Sequence, residues 1–153
     1  MEPLKEGMKA PSFEGIDQNG NMVRSGDFAG KKLVLYFYPK DDTPGCTAEA
    51  CDLRDNYKMF LEKGFAVVGV SGDTEKSHKK FSDKYSLPFP IIADTGRKIL
   101  EDYRVWTQKS LYGRTFLGIA RTTFVIDEKG TIEQIIKKVN TKAHSDQIFE
   151  LYK

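Results

Sequence analysis

Four short apolar runs, each bounded by turn residues, restrict this chain to a sheet covered by helices. They are Leu33–Tyr38, Phe65–Val70, Pro90–Ala93 and Thr122–Ile126. Their shortness and their lack of apolar–polar alternation are the pattern of strands buried on both faces. Helical spacing fills the gaps between them. After Cys46, the residues Ala50, Leu53, Tyr57, Phe60 and Leu61 recur on one helical face, and Gly64 is a stop signal. A second helix is predicted over Thr74–Tyr85, with Asp73 as N-cap and Phe81 and Tyr85 facing inward. Asp127-Glu128-Lys129-Gly130 reads as a turn into a strand carrying Ile132, Ile135 and Ile136. Ala143–Lys153 suits a closing helix. Preceded by an irregular N-terminal segment, this order gives an α/β fold with a central mixed β-sheet flanked by helices. No repeat or linker interrupts it, so residues 1–153 are expected to form a single domain.

Charge excludes some functions. The 24 Lys and Arg nearly balance 22 Asp and Glu, so a net charge of +2 offers no field for nucleic acid or an acidic membrane. His78-Lys79-Lys80 and Lys137-Lys138 are short basic runs that read as solvated faces. No apolar stretch approaches the ~20 residues of a membrane helix. The segment Met1–Gly7 lacks the apolar core of a secretory signal, which makes a cytoplasmic location the expectation. Two cysteines are too few for a disulfide scaffold. No metal site is expected, because a tetrahedral site wants four ligands and the two histidines, His78 and His144, lie far along the chain from the cysteines.

The cysteines themselves are more informative. Thr43 and Pro44 read as N-cap and first helical residue, which puts Gly45 and Cys46 in the first turn of a helix. A helix start presents unpaired N–H groups and a positive partial charge, and Gly45 leaves the backbone open to a small substrate. An ordinary thiol is only ~3% thiolate at neutral pH, so a nucleophilic one also wants a cation nearby. A buried, inert cysteine on the inward face shared by positions 46, 50, 53, 57 and 60 fits the same spacing. The residue pattern alone leaves both readings open. Cys51 follows five residues later, which on an α-helix is ~7.5 Å of rise and ~140° of rotation. The two Cα atoms would then lie about 8–9 Å apart, beyond disulfide reach. Any bond between them therefore requires the helix start to unwind.

The segment Tyr36–Cys51, containing Pro39-Lys40-Asp41-Asp42-Thr43-Pro44-Gly45-Cys46, resembles the active-site segment of the peroxiredoxins. More narrowly, it resembles their bacterioferritin-comigratory-protein (PrxQ) subfamily. Pro39, Thr43 and Cys46 satisfy the pattern Pro-x-x-x-Thr/Ser-x-x-Cys, and Cys51 matches the second cysteine of one branch. Gly7–Phe13, Tyr112-Gly113-Arg114 and Gly118–Asp127 resemble further family segments. Gly15 stands where leucine is more usual, and Arg104 where glycine is frequent.

The resemblance implies a thioredoxin-like fold and a thiol-dependent peroxidase acting on hydrogen peroxide and organic hydroperoxides. It implies Cys46 as the peroxidatic nucleophile, Cys51 as the resolving thiol and a Cys46–Cys51 intramolecular disulfide. Thr43 would hydrogen-bond thiolate and peroxide, Arg121 would be the activating cation, and Pro39 would shield the pocket. Glu49 also matches the subfamily pattern, although its charge favours a solvent-facing place on the helix. A thioredoxin-like dithiol would recycle the enzyme, with no metal, haem or flavin as cofactor. Resolution within one chain points to a monomer. A general thiol–disulfide oxidoreductase or a redox sensor on the same fold is the alternative. The former usually carries Cys-x-x-Cys, whereas four residues intervene here.

Overall fold

The computed structural model describes residues 2–153. The chain begins with β1 (Glu14–Ile16) and β2 (Met22–Arg24), a small antiparallel hairpin where the sequence suggests irregular chain. Then come β3 (Lys32–Phe37), α1 (Pro44–Asp55), α2 (Tyr57–Glu62), β4 (Phe65–Ser71) and α3 (Glu75–Tyr85). β5 (Ile91–Ala93), α4 (Lys98–Asp102), β6 (Trp106–Leu111) and β7 (Arg114–Ile119) follow. β8 (Thr122–Ile126), β9 (Ile132–Ile136) and α5 (His144–Glu150) close the chain.

The central sheet has the order β5-β4-β3-β8-β9. β3, β4 and β5 are parallel, as the intervening helices require, while β8 and β9 run antiparallel. This is the mixed, helix-flanked α/β sheet of the thioredoxin-like fold. Three of the continuous apolar runs are its inner strands β3, β4 and β8, and the fourth is the edge strand β5; all five residues of β8 are buried. Alternate side chains of β3 serve different cores. Leu33, Leu35 and Phe37 pack with Val68, Leu100, Tyr103 and Phe124. Val34, Tyr36 and Tyr38 pack on the opposite face with Cys46, Leu53, Phe60 and Ile148. Among the described residues, no helix is long and apolar enough to cross a membrane.

Several local expectations need correction. The helix after Cys46 is broken at Asn56, whose side-chain Nδ2 donates to the Asp52 carbonyl at 2.9 Å and competes with the helical ladder. Leu61 consequently lies exposed rather than on the inward face. α3 is capped by Thr74, whose Oγ1 accepts from Ser77 N, and not by Asp73. The Asp73 carboxylate is instead engaged by Asp41 N and the Ser71 hydroxyl. α5 ends at Glu150, before the expected Lys153. β6 and β7 form an unanticipated hairpin closed by Tyr112 and Gly113, both at positive φ (51° and 77°). Two consecutive left-handed residues suit the tight hairpin turn, but Tyr-Gly is a weaker signal for it than Asn-Gly.

Both departures from the family pattern have a local account. A Cβ on Gly15 would stand 2.3 Å from Ile92 Cγ2, so the β1 hairpin packs closely on β5. Arg104 has φ +59°, a left-handed position where glycine is at ease.

The start of α5 is tied to α1. Ser145 N donates to Asp52 Oδ2 at 2.7 Å, and Ser145 Oγ donates to the Asp52 carbonyl at 3.2 Å.

Candidate active site

Cys46 reaches the centre of this arrangement through sheet register. β3 pairs with β8 so that Phe37 faces Thr122. Arg121, one residue before β8, is thereby brought beside the chain leaving β3, where α1 begins. Its Nη2 lies 3.2 Å from Cys46 Sγ, and its Nη1 donates to Glu49 Oε1 at 2.6 Å. The cation wanted by the thiol is therefore present, delivered from 75 residues away. Gly45 makes room for it: a Cβ there would meet Arg121 Nη2 at 3.3 Å.

Pro44 occupies the first helical position and Thr43 the N-cap, as expected. The Thr43 side chain makes no capping bond, however; its hydroxyl donates to the Lys40 carbonyl at 2.9 Å. The early α1 amides, those of Gly45 and Cys46 included, receive no cap from that hydroxyl and keep their positive end of the helix dipole. Cys46 is buried, Cys51 and Pro39 are half-buried, and both cysteines are free thiols. With both in the continuous helix α1, Cys46 and Cys51 keep the separation that forbids a disulfide. Burial raises the Cys51 thiol pKa, against a smaller lowering by Arg54.

Glu49 is not solvent-facing: it is fully buried. It stands three residues after Cys46, on the face that also carries Ala50 and Leu53, so helical spacing held a signal that its charge argued against. Burial pushes its carboxyl up to about 7, opposed by the charge and hydrogen bond of Arg121. Burial alone would lower Arg121, but the adjacent Glu49 and Cys46 charges outweigh it and hold the guanidinium protonated. Glu49 Oε2 and the buried Tyr36 hydroxyl have no hydrogen-bond partner among the described residues. Burial, followed by the charges of Glu49 and Cys46, drives the Tyr36 phenol well above its ordinary range.

The structure also brings His144 to this cluster, with Nε2 3.6 Å from Glu49 Oε2. Its Nδ1 lies 2.9 Å from Gln147 Oε1, which can only accept, so Nδ1 carries the hydrogen. Nε2 then accepts from the Thr123 hydroxyl at 2.8 Å. Burial lowers the His144 pKa, in keeping with that neutral ring. His78 is not part of the cluster; it is bound to Asp41 and the Ile92 carbonyl.

Such a site offers a thiol held by a guanidinium at a helix start, with a hydroxyl at the preceding cap. These are the parts needed to ionise a sulfur nucleophile and orient a small polar substrate.

A model of the AhpC/TSA family matches residues 7–135. Peroxiredoxin Bcp of Bacillus subtilis is 42% identical over 150 residues, covering 98% of this chain and 96% of its own. Putative peroxiredoxin bcp of Coxiella burnetii is 43% identical over 145 residues, covering 95% and 96%. Among solved structures, a cysteine-to-serine mutant of Xanthomonas campestris Peroxiredoxin Q superposes with a TM-score of 0.89 at 33% identity, covering 97% of this chain and 98% of that one.

Proposed function

The chain belongs to the AhpC/TSA family and is a thiol-dependent peroxidase, and from that premise we propose Cys46 as its peroxidatic nucleophile and Cys51 as its resolving thiol. The observation that carries this reading is the 3.2 Å contact between Arg121 Nη2 and Cys46 Sγ at the start of α1. A fixed cation and a helix dipole both favour the thiolate.

The thiolate attacks one peroxide oxygen in line with the O–O bond. That bond breaks, the departing oxygen takes up a proton and leaves as water or alcohol, and Cys46 is oxidised to a sulfenic acid. Arg121 and the helix-start amides are placed to stabilise negative charge on the departing oxygen. Thr43 has one hydroxyl hydrogen, and the Lys40 carbonyl already receives it. Its lone pairs are therefore the part left to accept the O–H of a peroxide. Pro39, half-buried at the head of this loop, would limit water around the nucleophile. Glu49 orients Arg121.

Resolution follows once the first turn of α1 unwinds. The Cys51 sulfur attacks Cys46, the S–O bond breaks, and the disulfide forms with loss of water. A thioredoxin-like dithiol then exchanges with it, restoring both thiols and becoming oxidised itself. Because both sulfurs belong to one chain, a monomer can complete this cycle; sedimentation of the reduced and oxidised forms tests that expectation.

Rapid mixing with hydrogen peroxide and an organic hydroperoxide, followed by mass mapping, tests the assignment. Cys51→Ser should retain one fast oxidation at Cys46 and lose the intramolecular disulfide. Cys46→Ser should abolish peroxide reduction. Oxidation of Cys46 no faster than an ionised free thiol would defeat the proposal.

A further inference from the structure

The loop between β3 and α1 is held chiefly by α3 and the strand ends beside it. Asp41 is 8% exposed, although it belongs to a loop. Its Oδ1 accepts from the Tyr38 hydroxyl at 2.6 Å, and its Oδ2 accepts from Ser77 Oγ at 2.7 Å. The same Oδ2 lies 2.7 Å from Nδ1 of His78, whose side chain is wholly buried. Asp41 N also donates to Asp73 Oδ2 at 2.9 Å. The next residue, Asp42, has φ +56° and takes Lys84 Nζ and the Tyr85 hydroxyl, each at 2.8 Å.

The proton count couples Asp41 to His78. His78 Nε2 is 3.0 Å from the Ile92 carbonyl, which can only accept, so Nε2 carries a hydrogen. At 2.7 Å, Nδ1 and the carboxyl oxygen must share another. Removing either partner leaves the other buried with an unmet charge or hydrogen bond. Thr43 and Cys46 lie two and five residues beyond Asp41, in the stretch whose unwinding the proposed resolution requires.

We propose that the Asp41–His78 pair is a latch on this loop: made, it holds the Cys46 turn folded for peroxide attack; released, it lets Cys46 travel to Cys51. Asp41 and His78 are positioning residues, since neither touches the reacting sulfur through the bonds described. The inference rests on the reading of Cys46 and Cys51 given above.

Asp41→Asn and His78→Gln, singly and combined, provide the test. Hydrogen exchange in the reduced proteins should quicken about tenfold or more over residues 40–48, the effect of leaving a buried hydrogen-bonding group unpaired. Exchange in β4 should stay as in the parent. After one equivalent of peroxide, oxidation of Cys46 should slow while conversion of its sulfenic acid to disulfide accelerates. The double variant should add little to either single one. Tyr38→Phe and Ser77→Ala, which each remove one hydroxyl from Asp41, should shift both measurements less and in the same direction; they serve if the Asp41 and His78 variants fail to fold.

Unchanged exchange over residues 40–48 would overturn the latch. So would equal acceleration in β4, or disulfide formation no faster than in the parent. Failure of the parent itself to form a Cys46–Cys51 disulfide would instead defeat the resolving assignment, leaving the exchange measurement to decide whether the latch exists.

Discussion

Arg121 joins three groups that the sequence keeps far apart: the Cys46 sulfur, the Glu49 carboxyl and the start of β8. Replacing it by Met should lower the peroxide rate constant of Cys46 by about 10²–10³, as loss of a preorganised charge does, measured by stopped flow with hydrogen peroxide. Glu49 supplies a pH-dependent prediction. Its folded pKa is raised from 4.5 to about 7, so folding binds its proton more tightly than the unfolded chain does. Its contribution is full below pH 4.5 and is lost as pH rises to about 7. Chemical unfolding between pH 5 and 8 should show this decline, and Glu49→Gln should flatten it. A parallel decline in the variant would refute the assignment. Cys46, Thr43 and Pro44 were legible because helix-start chemistry is local. The partnership of Arg121 was legible only by resemblance, since a contact spanning 75 residues has no period or motif. Glu49 follows helical phase into the interior against the preference of its charge for water.

At the scale of elements, α1 has differently secured ends. Its later half is bound to α5 through Asp52 and Ser145, and the Asn56 side chain and backbone N–H both donate to its Asp52 carbonyl. Asp52→Ala removes an acceptor that caps α5 from outside. A loss of about 1 kcal/mol is expected from urea unfolding, with Ser145→Ala affecting the same joint. Preservation of full stability in Asp52→Ala would show that the cap contributes nothing. The inner strands were readable from continuous apolar runs because burial on both faces dictates composition. The three-residue β1 and β2 and the Tyr112-Gly113 hairpin were not, since pairing partners rather than their own patterns define them. The Asn56 break leaves no trace in the apolar phase, which continues through Phe60; its mark is one side-chain bond to a backbone carbonyl.

Across the whole molecule, the sheet would be the fixed body against which the cysteine loop moves in the proposed cycle. Gly69 lies where β3, β4 and β5 meet; a Cβ there would come within 2.8 Å of both Tyr36 Cζ and Ile91 Cγ2. Gly69→Ala should therefore cost about 1–3 kcal/mol through overpacking, read as a lower denaturant midpoint. Such a loss should leave the exchange contrast between loop and sheet intact if unwinding is confined to the start of α1. The Asp52–Ser145 joint then has a directional consequence. Cys51 is bonded in sequence to the residue that α5 anchors, so in the proposed cycle Cys46 would be the passenger and Cys51 the dock. The proposed disulfide would be assembled near the half-buried dock, away from Arg121 and Glu49. Peroxide and reducing protein would thus approach different addresses on the molecule, visited in turn by one sulfur atom.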